Sequence, residues 1–203
     1  MKQYPSIPRE FREIHGAYIF DKLDGSNIRI EWTKKNGWHK FGSRHRLLDE
    51  SDSLLGEAKP LFLSTYADLI SQVLIDNRCQ HAVAFCEFWG KESFAGLHKA
   101  DDPKYMTLFD VALDKKGILG PREFLKLFQG SGITPNFLGI HNWTRGFVES
   151  VRKNELPGIT FEGVVGKSGN GHKLVMAKAK TQNWIDKVHE VFHGNEAEKL
   201  INS

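Results

Sequence analysis

Lys22 closes the run Tyr18-Ile19-Phe20-Asp21-Lys22, with Asp21 before it and Asp24 two residues after, where an apolar segment still has to pack. A lysine in such a place is either a surface residue that snorkels to water or a reagent. Charge interrupts apolar runs elsewhere too: Glu87 within His81–Gly90, Glu162 just ahead of Gly163-Val164-Val165, and Lys178 and Lys180 in His172–Lys180. An unpaired buried carboxylate is costly, so Glu87 and Glu162 each demand either a cationic partner or a role in a site. On a strand, residues i and i+2 face the same way, which points Lys178 and Lys180 together. Two such ammonium groups bind phosphates. If Lys22 enters the same groove, like charge and desolvation favour its neutral form, the form in which a lysine is a nucleophile.

The elements that must hold these groups can be read from periodicity. Ala17–Phe20 leads into Asp24-Gly25, and Ile28, Ile30 and Trp32 lead out in alternation with Arg29 and Glu31, the pattern of a hairpin. Trp38–Arg46 reads as a third strand ending in a basic cluster, Lys40, Arg44, His45 and Arg46. A helix is expected from Pro60, with Leu61, Tyr66, Leu69, Ile70 and Val73 on its apolar face. His81–Gly90 and Tyr105–Leu113 read as buried strands. Pro121–Gln129 is a short helix, and Trp143, Phe147, Val148 and Val151 mark another, which ends before Pro157-Gly158. Ile159–Lys167 and His172–Lys180 flank Gly169-Asn170-Gly171 as a second hairpin, and a last helix runs from Thr181 through Trp184, Ile185, Val188, Val191 and Phe192. The fold class is α+β, antiparallel sheet with helices on its outer faces.

At 203 residues the chain fits one domain, 1–203, with 181–203 as a helical tail. A net charge of +3 favours an anionic partner without identifying one. Two cysteines, Cys79 and Cys86, form neither a disulfide framework nor a paired metal site, and no apolar window reaches the roughly 18 residues of a membrane span. A cytoplasmic location without a membrane partner is the expectation.

Lys22-Leu23-Asp24-Gly25-Ser26 resembles motif I, K-x-D-G-S/T, of the covalent nucleotidyltransferases: DNA ligases, RNA ligases and mRNA capping enzymes. Five further elements follow in the family's order. They are Ser43-Arg44, Phe85–Gly90 (motif III), Leu108–Val111 (motif IIIa), Phe161–Val165 (motif IV) and Lys178-Ala179-Lys180 (motif V). The resemblance implies that Lys22 attacks the α-phosphorus of ATP and holds AMP through a phosphoramide bond. By the same resemblance Asp24 and Asn27 line the nucleotide pocket, Arg44 contacts the ribose or a nucleic-acid phosphate, and Glu87 binds the ribose hydroxyls. Phe109 would stack on adenine, Glu162 would hold Mg²⁺ or Mn²⁺ directly or through water, and Lys167 would approach the phosphates. Lys178 and Lys180 would stabilise charge on the α-phosphate and the leaving group. Asp110 reads as structural or as a support behind the site residues.

Only 23 residues follow Lys180, too few for the oligonucleotide-binding barrel of DNA ligases and capping enzymes, and Tyr4–Phe11 is reminiscent of RNA ligases. The implied activity is an ATP-dependent RNA ligase, acting in RNA repair, that joins a 5′-phosphate to a 3′-hydroxyl. Its RNA is held by its own basic surface or by a protein partner. A minimal DNA ligase and a GTP-using capping-type enzyme are the alternatives within the superfamily, and a non-catalytic RNA-binding module is one outside catalysis. From another class, His189-Glu190-Val191-Phe192-His193 satisfies H-E-x-x-H, in which two histidines one helical turn apart bind zinc. Gly166-Lys167-Ser168 lacks the earlier glycine of a phosphate loop, where Phe161 stands instead.

Overall fold

A computed structural model of the chain describes residues 1–49, 51–52, 55–91, 93 and 101–202. In chain order its elements begin β1 (Ile14–Lys22), β2 (Ser26–Thr33), β3 (Gly37–Ser43), α1 (Ala58–Thr65), α2 (Ala67–Asp76), β4 (His81–Gly90), β5 (Lys104–Leu113) and β6 (Gly117–Ile118). They continue with α3 (Pro121–Phe128), β7 (Phe137–Trp143), α4 (Arg145–Arg152), β8 (Gly163–Ser168), β9 (Val175–Lys180), α5 (Gln182–Val191) and α6 (Asn195–Ile201). The strands make two antiparallel sheets, β7-β1-β8-β9 and β3-β2-β4-β5-β6, with helices packed against them, so the α+β expectation holds. Among the described residues no helix is long and apolar enough to cross a membrane.

The expected hairpin around Asp24-Gly25 does not form. β1 is paired on both edges by β7 and β8, and β2 on both edges by β3 and β4, so neither strand has an edge left for the other. Residues 23–25 instead cross from one sheet to the other. Gly25, which reads as turn chemistry, is required for a different reason: a Cβ there would lie 2.4 Å from the Phe88 carbonyl oxygen. The link is pressed against β4, and Lys22 is left at the seam.

Alternation decides what faces that seam. In β1, Ala17 and Ile19 pack with Trp143, Val151 and Val164 on the outer side, while Phe20 joins the core under the other sheet. Lys22 shares the parity of Phe20 and so faces inward. In β5 the alternation is broken by a bulge: Phe85 pairs with Asp110 and Cys86 with Leu108, leaving Phe109 as the extra residue. Leu108 and Val111 both reach the helix-covered core, so Phe109 and Asp110 are turned to the opposite face in succession. Fully burying a side chain such as Phe20 is worth about 1.5–3 kcal/mol, and clusters of this kind fix both sheets.

Other boundaries shift for local reasons. Trp143, expected in a helix, closes β7 opposite Ile14, and Thr144 caps α4 by accepting from the Phe147 N–H at 3.2 Å. The helix expected from Pro60 is two helices divided at Tyr66, and the helix from Thr181 is two divided ahead of Gly194. Val191, placed on the apolar face of the last helix, is half exposed.

Candidate active site

The register brings the charged residues into rows. Lys22 lies opposite Gly163, and Gly163 opposite Lys180, across β1, β8 and β9. One row deeper, Phe20, Val165 and Lys178 are neighbours. On the facing sheet Asn27 pairs with Glu87 and Glu87 with Thr107. Between the sheets is a cavity of about 430 Å³ lined by Lys22, Asn27, Arg44, Glu87, Phe109, Lys167 and Lys178, a size suited to a nucleotide-sized ligand.

Behind the cavity wall lies a layer of ion pairs. Lys22 Nζ donates to Glu162 Oε2 at 2.6 Å, and Lys180 Nζ lies 3.3 Å from the other oxygen, Glu162 Oε1. Lys180 also donates to the Leu200 carbonyl at 2.9 Å and lies 4.0 Å from the Trp184 ring centroid. Glu162 precedes β8 and is positioned from both sides. Asp21 accepts from the Thr160 N–H and hydroxyl, and the Thr181 N–H and hydroxyl bind the carbonyls of Glu162 and Phe161. The sheet can close here because residue 163 is glycine: its φ is +151° and a Cβ would lie 2.0 Å from the Ala179 carbonyl oxygen.

A model of the RNA ligase family matches residues 17–182, a span that contains Lys22, Asn27, Arg44, Glu87, Phe109, Glu162, Lys167, Lys178 and Lys180. The chain belongs to the RNA ligase family. No curated protein sequence matches it. Among solved structures, an RNA ligase of Naegleria gruberi, as a variant with ATP and manganese, superposes with a TM-score of 0.60 at 17% identity over 85% of this chain and 52% of that one. A second variant of that ligase, with AMP and manganese, gives a TM-score of 0.62 at 18% identity, with the same coverage. An Aquifex aeolicus protein provisionally described as an ATP-dependent DNA ligase gives 0.62 at 18% identity, over 100% of this chain and 58% of that one. At these identities the likeness is one of fold, and the chain spans about half the length of the Naegleria enzyme.

Electrostatics in this RNA ligase family member differ from the sequence expectation at Lys22. Burial favours a neutral Lys22, but Glu162, Glu87 and Asp24 together outweigh it and raise the pKa above the ordinary lysine value. Lys22 is therefore held as an ammonium, and the neutral form expected from like charge is not the resting form. Like charge acts on Lys178 instead: burial first, then Lys180 and Lys22, bring it down to about 8. Lys180 is also lowered, again mainly by burial. Burial and the Glu162 charge push Asp24 up to about 7, against the pull of Lys22 and a Trp184 hydrogen bond. Glu87 rises to about 8 through burial, Lys22 opposing the rise.

Of the residues expected in the site, Lys22, Asn27, Arg44, Glu87, Phe109, Lys167 and Lys178 line one cavity, while Asp24, Glu162 and Lys180 stand behind it. Two amines are directed away from the cavity. Lys167 was expected at the phosphates, but its ammonium is buried against Asp110 Oδ2 at 2.8 Å and donates to the Phe109 carbonyl at 2.9 Å. Lys180 shares its strand face with Lys178, yet its amine is directed to Glu162 and Leu200 rather than to the cavity wall. The basic surface is smaller than its sequence suggests, because Lys40 pairs with Glu31 and Arg46 with Asp52. H-E-x-x-H fails geometrically: α5 ends at Val191, so His193 is not one helical turn from His189, and Glu190 is paired with Lys187.

Tyr4 was missed. Its hydroxyl donates to Asp110 Oδ2 at 2.5 Å and its ring meets Phe109 edge-on at 5.0 Å. It lies in a segment with no periodicity, so nothing in the sequence marks its partner 106 positions away. Among the described residues no group of three or more acidic, histidine or cysteine side chains is placed to hold a metal ion by itself. Glu162 is near enough for its charge to act on Asp24, and two such carboxylates fit a hard cation held mainly by phosphate and water.

Proposed function

We propose that this protein adenylylates Lys22 with ATP, transfers the AMP to a 5′-phosphate end of RNA, and seals that end to a 3′-hydroxyl. The observation that carries this reading is the Lys22 amine, 2.6 Å from Glu162 at the wall of a nucleotide-sized cavity that also holds Glu87, Phe109 and Lys178. The Naegleria relatives with ATP, AMP and manganese support ATP and a divalent cation, Mg²⁺ or Mn²⁺, as the cofactors.

Attack requires the Lys22 ammonium to lose a proton, and Glu162 Oε2 is the acceptor in contact with it. The freed lone pair forms the N–P bond to the α-phosphorus as the bond to the β-phosphate oxygen breaks and pyrophosphate leaves. Lys178, on the cavity wall, offsets charge on the α-phosphate and leaving group. Glu87 accepts from the ribose hydroxyls, and Asn27 Oδ1, buried without a hydrogen-bond partner among the described residues, is a second acceptor beside it. The ring of Phe109 offers a face to adenine. Glu162 would hold a divalent ion, directly or through water, which when bound would neutralise charge on the phosphates. In the later steps AMP passes to the 5′-phosphate, and attack by the 3′-hydroxyl expels it.

Incubation with α-labelled ATP and a divalent cation tests the first step. Label should remain on the protein in alkali and be released by acid, as a P–N bond requires, and Lys22→Ala should take up none. Labelling by GTP and not ATP would favour the capping-type alternative. DNA sealing is the second reading, favoured by the Aquifex match over all of this chain. A panel of nicked duplexes with RNA or DNA at each end separates the two: ligation confined to DNA ends replaces the RNA assignment.

A further inference from the structure

The segment ahead of β1 has no secondary structure up to residue 8, yet Tyr4, Pro5 and Ile7 line the cavity and Arg44 Nη2 donates to Ser6 Oγ at 2.9 Å. Its central contact is Tyr4, whose ring meets Phe109 edge-on at 5.0 Å and Phe85 at 5.1 Å. The Tyr4 hydroxyl donates to Asp110 Oδ2 at 2.5 Å, with Met176 Sδ 3.1 Å away. The same Asp110 oxygen accepts from Lys167 Nζ at 2.8 Å, and Lys167 Nζ in turn holds the carbonyl of Phe109 at 2.9 Å. Phe109 is the bulge residue of β5, without the ladder partners of its neighbours, so this carbonyl needs a donor from outside the sheet.

We propose that Tyr4 is a positioning residue of the nucleotide site: the N-terminal segment forms one wall of its base end, and Tyr4, through Asp110 and Lys167, fixes the Phe109 ring on which a purine base stacks. This rests on reading the cavity as an adenine-nucleotide site. Because its proton is committed to Asp110, the Tyr4 hydroxyl does not donate to the base; its contribution is a ring edge and a fixed carboxylate. The cavity measures about 430 Å³ with Tyr4 in place, so the segment is a wall and not a plug.

Single-turnover self-adenylylation of the full chain, followed against ATP concentration, tests this. Tyr4→Ala should raise the half-saturating ATP concentration about tenfold while the limiting rate changes less than about threefold, the split expected when ground-state binding is lost. Tyr4→Phe keeps the ring edge and loses the hydroxyl, and should fall between Tyr4→Ala and the wild type. If Tyr4→Ala melts below the assay temperature, Tyr4→Leu is read in its place against the same expectation. An unchanged half-saturation, a lowered one, or a loss confined to the limiting rate overturns the inference and leaves the ligase reading standing. A wild-type chain that takes up no AMP overturns both.

Discussion

Glu162 holds two ammonium groups at once, Lys22 through one oxygen and Lys180 through the other, while itself 4% exposed. Removing it takes the contacting carboxylate from both cations, a loss on the order of 3–5 kcal/mol. Glu162→Ala should therefore lower the melting temperature by about 10 °C, at roughly 2–4 °C per kcal/mol for a chain of this size, and thermal melting without nucleotide measures it. Lys178 has the opposite sign. Its pKa in the fold is about 8, below the ordinary lysine value, so its charged form is disfavoured there relative to the unfolded chain. Lys178→Met should raise the melting temperature at pH 7. The gain should fade as pH rises above about 8, where the wild-type lysine sheds its proton in the folded state. Self-adenylylation by the same variant should fall at least about tenfold, the scale of a lost phosphate contact. At this scale the sequence was informative wherever a charge interrupted an apolar run, as at Lys22, Glu87 and Glu162. It was silent at Tyr4, whose role depends entirely on long-range contacts.

Asp24-Gly25 carries the composition of a tight turn, but strands on either side of a turn pair only if each has a free edge, and β1 and β2 have none. Edge availability is a property of the assembled sheets, so local chemistry could not reveal it. The bulge at Phe109 is similar: an alternating pattern predicts that Phe109 and Asp110 face apart, whereas the extra residue turns both toward the cavity side. Two glycines test how closely the seam is packed. Gly163→Ala places a Cβ 2.0 Å from the Ala179 carbonyl oxygen at a strained φ, so the β8–β9 pairing should weaken, and the melting temperature should fall by several degrees, roughly 2–4 °C per kcal/mol. Gly25→Ala meets the Phe88 carbonyl at 2.4 Å and moves the link that ends in Lys22. Its single-turnover adenylylation rate should drop about a hundredfold, as misplacement of a reacting group by about 1 Å predicts, with a smaller effect on melting.

For the whole molecule, two sheets face each other across a cavity, and the family's ordered motifs are distributed over both. That order was legible in the sequence because each motif carries its own residue pattern, whereas the division into two sheets was not. The chain spans 52% of the Naegleria ligase and 58% of the Aquifex protein, and its cavity is lined by Lys22, Glu87, Phe109 and Lys178, on which the proposed self-adenylylation relies. Self-adenylylation should therefore proceed with this chain alone, and end-joining should be the slower step, measured by accumulation of adenylylated RNA ends. The most direct measurement is to incubate the protein with ATP and Mn²⁺ or Mg²⁺, digest it at alkaline pH, and map the adduct by mass spectrometry. One AMP group is expected on the peptide that contains Lys22, on the lysine itself; AMP on another residue, or an adduct that persists in Lys22→Ala, would contradict the assignment of Lys22 as the adenylylated residue.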